Sequence, residues 1–263
     1  MSLNFNTLKV EKIDNHILLV TLNRPESRNA INSVMMLELR QLWQDLYVNN
    51  EKLRCVILTG VNPAFSAGAD LKERNHISLD TWQAQHAVFE QAMLAMIDCP
   101  IPIIAAVNGA AFGGGLELAL ASDFAYAVDT AIFAQSEVKI GIMPAALGTQ
   151  HLPRTCGLRR AKELAFTGDT FSAHEALEWG IINKVYSATE LMPAVLATAK
   201  KIADNAPLAI QQVKKSLNIS QQADIKTGFS YEIEAYNRLL PTQDREEGIR
   251  AFNEKRKAEF IGK

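Results

Sequence analysis

Two glutamates and two clusters of small residues are the parts of this sequence best suited to chemistry. The stretch from Ile101 to Ser122, IPIIAAVNGAAFGGGLELALAS, reads as a strand running into a glycine-dense turn and then directly into a helix. Three consecutive glycines, Gly113 to Gly115, let a backbone approach something that side chains would exclude, and at a helix start they aim unpaired N–H groups at it. Such a turn suits an anion or a developing oxyanion. It is not a dinucleotide fingerprint, because GxGxxG is absent, nor a phosphate-cradling loop, because no GK[ST] follows. Glu117 lies one turn inside this helix, on the face that presents the glycines, which brings a carboxylate to the same ligand; the plainer reading is a first-turn acid facing the helix dipole.

A second segment, Phe65-Ser-Ala-Gly-Ala-Asp70, follows a strand ending at Thr59 and delivers another small-residue loop into an expected helix start. Two loops of this kind can supply the two N–H groups of an oxyanion hole. Taken alone, Gly68-Ala-Asp70 is a turn with Asp70 as N-cap. Glu137, within Phe133 to Gly141, reads alone as a surface acid. Paired with Glu117 it gives the two carboxylates that adding water across a polarised double bond uses, one activating the water and one handling the α-carbon proton. The five histidines at 16, 76, 86, 151 and 174 show no HxxxH or HExxH spacing, so no metal site is expected. A GxSxG nucleophile elbow is missing, and Lys255-Arg-Lys257 reads as a solvated helix face or a basic patch near phosphates.

Positioning these groups falls to alternating elements. β-branched runs at Ile17 to Leu22, Cys55 to Thr59, Ile101 to Val107, Phe124 to Val128 and Ile182 to Tyr186 predict strands. Helices are predicted over Val34 to Tyr47, Asp80 to Ile97, Leu116 to Ala121 and Arg159 to Phe166, an alternation that argues α/β. Beyond about residue 188 the periodicity is helical throughout, at Leu191 to Ala203, Ala209 to Leu217, Phe229 to Leu239 and Asp244 to Phe260. The chain therefore divides into a core, 1–188, and a helical C-terminal region, 189–263, with a capping box expected at Asp244 and Glu247.

The 263 residues and 48% hydrophobic content support a sizeable interior, and 27 basic against 29 acidic side chains leave a net charge of -2. No global field draws such a chain to nucleic acid or to an anionic membrane, and a small-molecule partner is expected. Cys55, Cys99 and Cys156 read as free thiols of a reducing compartment. A cytoplasmic location is expected, with removal of a targeting segment ahead of residue 1 left open.

Taken together and in order, the motifs resemble the enoyl-CoA hydratase/isomerase family, the crotonase superfamily, over essentially the whole chain. They are Leu22-Asn-Arg-Pro-Glu26 with Asn29-Ala-Ile31, the Phe65 to Leu71 segment, Ala106 to Ala119, and Gly148-Thr-Gln150 through Arg154. Phe166-Thr-Gly168, Ala173 to Ala176, Gly180 to Val185, Asp244 to Gly248 and Phe252 to Arg256 complete the set. The resemblance implies a spiral of ββα units with an α-helical C-terminal region that takes part in trimer packing, trimers commonly pairing as hexamers. It also implies an oxyanion hole from the amides of Ala69 and Gly114, catalysis by Glu117 and Glu137, and no redox cofactor or metal, coenzyme A arriving as part of an acyl-CoA thioester.

Substrate or CoA contacts transfer to Ala67, Asp70, Leu71 and Lys72, with Ala145 near the attacking water. Arg28 falls near the nucleotide end, and Phe252 with Lys255 near the CoA phosphates, from the same or an adjacent subunit. Both glutamates together favour hydration of a 2-enoyl-CoA; the alternatives are a 3-methylglutaconyl-CoA hydratase, a 3,2-enoyl-CoA isomerase, or a non-catalytic acyl-CoA- or RNA-binding protein. Trp82, Phe89 and Ala145 to Leu147 would shape the acyl pocket. One departure stands out: relatives carry glycines where this chain has Pro144-Ala-Ala-Leu-Gly148, and Leu147 is not expected to adopt a positive φ.

Overall fold

A computed structural model describes residues 5–50 and 52–263. In chain order the core comprises β1 (Leu8–Lys12), β2 (Ile17–Leu22), α1 (Ser33–Val48), β3 (Cys55–Gly60), β4 (Ala64–Ser66), α2 (Leu79–Asp98), β5 (Ile103–Val107), β6 (Ala110–Phe112) and α3 (Gly114–Ala121). It continues through β7 (Phe124–Val128), β8 (Ile132–Ala134), α4 (Gly148–Thr167), β9 (Thr170–Ser172), α5 (Ala173–Glu178) and β10 (Lys184–Tyr186). Four helices follow: α6 (Leu191–Ala203), α7 (Pro207–Ser220), α8 (Ile225–Asn237) and α9 (Gln243–Glu254).

Two sheets share this chain. The larger runs β1-β2-β3-β5-β7-β10, parallel except for the β1/β2 pair, and the smaller runs β4-β6-β8-β9, parallel except for β8/β9. Three successive turns, β3-β4-α2, β5-β6-α3 and β7-β8-α4, thus each contribute a long strand to one sheet, a three-residue strand to the other, and then a helix. All residues of β3 and β5 are buried, which is why those strands read as unbroken apolar runs rather than alternating ones. The short strands escaped the sequence reading because three residues carry no measurable periodicity.

Helix starts are set by side-chain caps: Asn32 accepts from the Met35 amide at 3.0 Å and Ser78 from the Thr81 amide at 3.1 Å. The apolar stripe Met35, Leu39, Leu42, Trp43 and Leu46 of α1 is fully buried and packs beside α2. Two local expectations are corrected. No helix starts at Asp70, which opens only a turn, the next helix beginning at Leu79. The cap of α9 is Thr242, whose side chain accepts from the Arg245 amide at 3.2 Å. Asp244 instead accepts from the Ile261 and Gly262 amides at 2.7 and 2.9 Å, and Glu247 binds Arg250 and Arg256, so both acids hold the C-terminal strand of chain in place. The one complete capping box among the described residues is Ser172 with Glu175.

The helical region is joined to the core by packing and by buried charge. α6 lies along β2, β3, β5 and β7. Lys214 of α7 reaches Asp123 at 2.8 Å and the Ile101 carbonyl at 3.1 Å, while Arg54 donates to the carbonyls of Ala203 and Phe260 at 2.7 and 2.6 Å. Among the described residues no helix is long and apolar enough to cross a membrane, and the three cysteines are unpaired.

Candidate active site

The glycine turn and the Ser66 to Asp70 loop are interlocked. Gly113 sits at φ 49, ψ -118, which L-residues avoid, and its amide donates to the Ala134 carbonyl at 2.9 Å, tying the turn to β8. A Cβ on Gly115 would lie 2.3 Å from the Ser66 carbonyl oxygen, and one on Gly68 would lie 3.2 Å from the Gly114 nitrogen. Backbone therefore meets backbone with no room for side chains between the loops.

Ala69 forms a parallel bridge with Ile31, in which the Ile31 amide donates to the Gly68 carbonyl at 2.8 Å and the Asp70 amide to the Ile31 carbonyl at 3.0 Å. This pairing uses the groups on either side of Ala69. Neither the Ala69 nor the Gly114 N–H has an acceptor among the described residues, and both residues line one cavity of about 360 Å³. The loop is held from behind by the Leu22 to Ile31 segment. Buried Asn29 donates to the carbonyls of Val61 and Ala64, and Arg24 binds Asp70 and the Ala30 carbonyl at 2.8 and 2.6 Å.

Both glutamates face this cavity. Glu117 is 3% exposed, and a single oxygen, Oε1, accepts from the amides of Ala146 and Gly148, each at 2.8 Å. Leu147 stands between those donors at φ 76, ψ 4, contrary to expectation. Turning both neighbouring amides onto one carboxyl oxygen places Leu147 in this left-handed conformation, whose cost of about 1–2 kcal/mol is offset by the two buried hydrogen bonds. Burial, and after it the charge of Glu137, pushes the Glu117 carboxyl up to about 7, against the pull of the two amides. Glu137, on a short 3-10 turn (Glu137–Ile140), accepts from Gln135 Nε2 at 2.8 Å through Oε1, while its buried Oε2 has no partner among the described residues. Burial raises this carboxyl too. Two unpaired amides and two carboxyls whose proton affinity burial raises can together polarise a carbonyl and move protons beside it.

A family model described as enoyl-CoA hydratase/isomerase matches residues 12–263. The chain belongs to the enoyl-CoA hydratase/isomerase family. Among its crotonase-superfamily relatives, it is 37% identical to the short-chain-enoyl-CoA hydratase of Clostridium acetobutylicum over 98% of both chains. It is 37% identical to the crotonyl-CoA hydratase of Syntrophomonas wolfei over 98% of this chain and 99% of that one. The crystal structure of enoyl-CoA hydratase from Bacillus anthracis superposes with a TM-score of 0.96 at 37% identity, over 98% of this chain and 100% of the other.

In this family member Ala67, Leu71 and Ala145 line the cavity together with the glutamates. Five residues expected at the substrate do not line it within one chain. Asp70 is buried against Arg24; burial alone would raise its carboxyl, but Arg24 and the Glu73 and Lys72 amides bring it below the usual range. Arg28 takes φ 52 at the end of a 3-10 turn, where its carbonyl accepts from the Ala67 amide at 2.9 Å and supports the loop. Lys72 points to solvent, Phe252 is 83% exposed on α9, and Lys255 ends that helix at φ 56. The sequence reading missed Gln135, Arg74, His86 and the Ala146 and Gly148 amides. His86 had a signal, since it is spaced four and three residues from Trp82 and Phe89 on α2, one helical face.

Proposed function

We propose that the protein is an enoyl-CoA hydratase that adds water reversibly across the 2,3 double bond of a 2-enoyl-CoA. The observation that carries this reading is the convergence on one cavity of two unpaired backbone amides, from Ala69 and Gly114, with two buried carboxyl groups, Glu117 and Glu137. The thioester oxygen accepts from both amides, which drains electron density from C3. Glu117 takes a proton as the water oxygen attacks C3, the electron pair moves through C2 toward the thioester oxygen, and the amides stabilise that charge. Glu137 then delivers a proton to C2. Loss of one donor from such a hole costs about 3 kcal/mol in the transition state. Water adds without change of oxidation state, so the step calls for no electron carrier, and coenzyme A enters with the substrate.

The exposed apolar side chains of the helical region, among them Leu217, Ile225, Phe229 and Phe252, support burial against further copies in a trimer or a hexamer, which light scattering measures. Activity is tested by incubating the protein with crotonyl-CoA in H₂¹⁸O. Loss of the conjugated enone absorbance with ¹⁸O in the 3-hydroxyacyl product is expected. Absence of label, or reaction only of a 3-enoyl-CoA to its 2-enoyl isomer, would overturn hydration.

A further inference from the structure

Seven charged residues are buried in the described chain, and six have partners. Glu38 accepts from the Asn6 and Thr7 amides, Glu117 from Ala146 and Gly148, Asp244 from Ile261 and Gly262; Asp70 pairs with Arg24, Lys214 with Asp123, and Glu247 with Arg256. The seventh is Arg74. It is 9% exposed, lines the cavity, and its guanidinium makes no hydrogen bond or ion pair among the described residues. It lies over Trp82, whose ring centroid is 4.6 Å from the guanidinium carbon.

The acid whose charge reaches Arg74 is Glu73, which makes no ion pair with it and instead accepts from the Ser33 amide at 2.8 Å. The charge of Arg74 does not figure among those acting on Glu117 or Glu137. Burial draws the guanidinium's proton affinity down, yet arginine stays cationic in proteins. A buried cation that lines an open cavity and has no protein partner is built to receive an oxyanion.

Position narrows which oxyanion. Phe89 abuts Gly114, since a Cβ on Gly114 would lie 3.5 Å from the Phe89 ring. Trp82, which carries Arg74, precedes Phe89 by two helical turns, about 10 Å along α2. An extended run of four carbon–carbon bonds spans about 5 Å, and a guanidinium–carboxylate pair adds about 4 Å between its carbons. Resting on the hydratase reading for the place of the thioester, we infer that Arg74 receives a carboxylate on the acyl chain, and that the preferred substrate is the 2-enoyl-CoA thioester of a short dicarboxylic acid.

A CoA phosphate offers the same oxyanion chemistry, and the test separates the two. Calorimetric titration with glutaryl-CoA and butyryl-CoA, saturated thioesters that share CoA and cannot be hydrated, reads the contribution of the distal carboxylate alone. The wild type is expected to bind glutaryl-CoA about 10- to 100-fold more tightly than butyryl-CoA, and Arg74→Met to bring that ratio to about one. A wild-type ratio of one or below overturns the inference. So does an unchanged ratio in Arg74→Met with both affinities lowered, which would assign Arg74 to a CoA phosphate. Should Arg74→Met fail to fold by circular dichroism, Arg74→Gln carries the same expectation, and the wild-type ratio stands without either variant. Turnover of glutaconyl-CoA against crotonyl-CoA keeps the two readings apart. Preference for glutaryl-CoA without hydration of either enoyl thioester defeats the hydratase and leaves the carboxylate site standing; hydration of both with no preference defeats only the carboxylate site.

Discussion

The two carboxylates of the cavity are held in opposite ways. Glu117 is gripped by main chain, two amides of the Pro144 to Gly148 loop converging on one oxygen, and it sits inside a helix whose turn interlocks with the neighbouring loop. Glu137 is held by a side chain, Gln135, over the backbone of Gly113, and one of its oxygens is free. The first arrangement fixes an oxygen in place, as suits a group that orients water; the second leaves an oxygen able to reach a substrate carbon. The difference teaches that a pair of like residues in one cavity can be given separate tasks by what grips them.

The harshest test of that contrast is to neutralise each side in turn. Glu117→Gln and Glu137→Gln are each expected to lower kcat for hydration by about 10²- to 10⁴-fold, with CoA-ester affinity nearly retained. Unchanged turnover in either variant removes that glutamate from the reaction. Next in size is a stability effect confined to the main-chain side. Folded Glu117 keeps its proton up to about pH 7, whereas the unfolded chain releases it near the ordinary glutamate value of 4.5, so the wild type loses stability as pH rises between the two. Glu117→Gln escapes this loss, and chemical denaturation should find it gaining on the wild type by up to about 3 kcal/mol between pH 4 and pH 8. A gap that stays constant with pH would mean that the carboxyl is not raised.

Smaller effects are expected from the side-chain-held partner. Gly113→Ala places a Cβ 3.1 Å from Glu137 Oε1 at a strained φ, and displacement of that carboxylate should lower kcat by about 10²-fold while the Glu117 ¹³C resonance titrates as before. Equal disturbance of both resonances would show that the two grips are not independent. Gln135→Leu removes a donor that favours the charged form, so the Glu137 carboxyl rises further and kcat falls by about 10-fold. The pH–rate profile distinguishes this from a structural loss, because the limb belonging to Glu137 moves to higher pH.

Much of this molecule is written locally. The fully buried strands read as apolar runs because parallel strands covered on both faces need no polar alternation, and α1 and α6 carry their apolar stripes within their own 16 and 13 residues. The Gly113 to Gly115 run with Glu117 three residues inside the helix states its own geometry, since only glycine takes the turn that the helix start requires. Composition and motif order alone place the chain among α/β proteins of this family.

Tertiary structure decided the rest, wherever a residue's meaning depends on a partner far away in the chain. Nothing in its neighbours along the chain marks Arg74, and only the packing of α2 sets Trp82 against it and closes off solvent. Asp70 and Arg24 are 46 residues apart, and Glu117 meets its two amides at separations of 29 and 31. The left-handed Leu147 runs against its own preference because those amides must face one oxygen. Local propensity is worth a fraction of a kcal/mol per residue, whereas a buried carboxyl left without hydrogen-bond donors costs far more; where the two conflict at Leu147, the long-range contact wins.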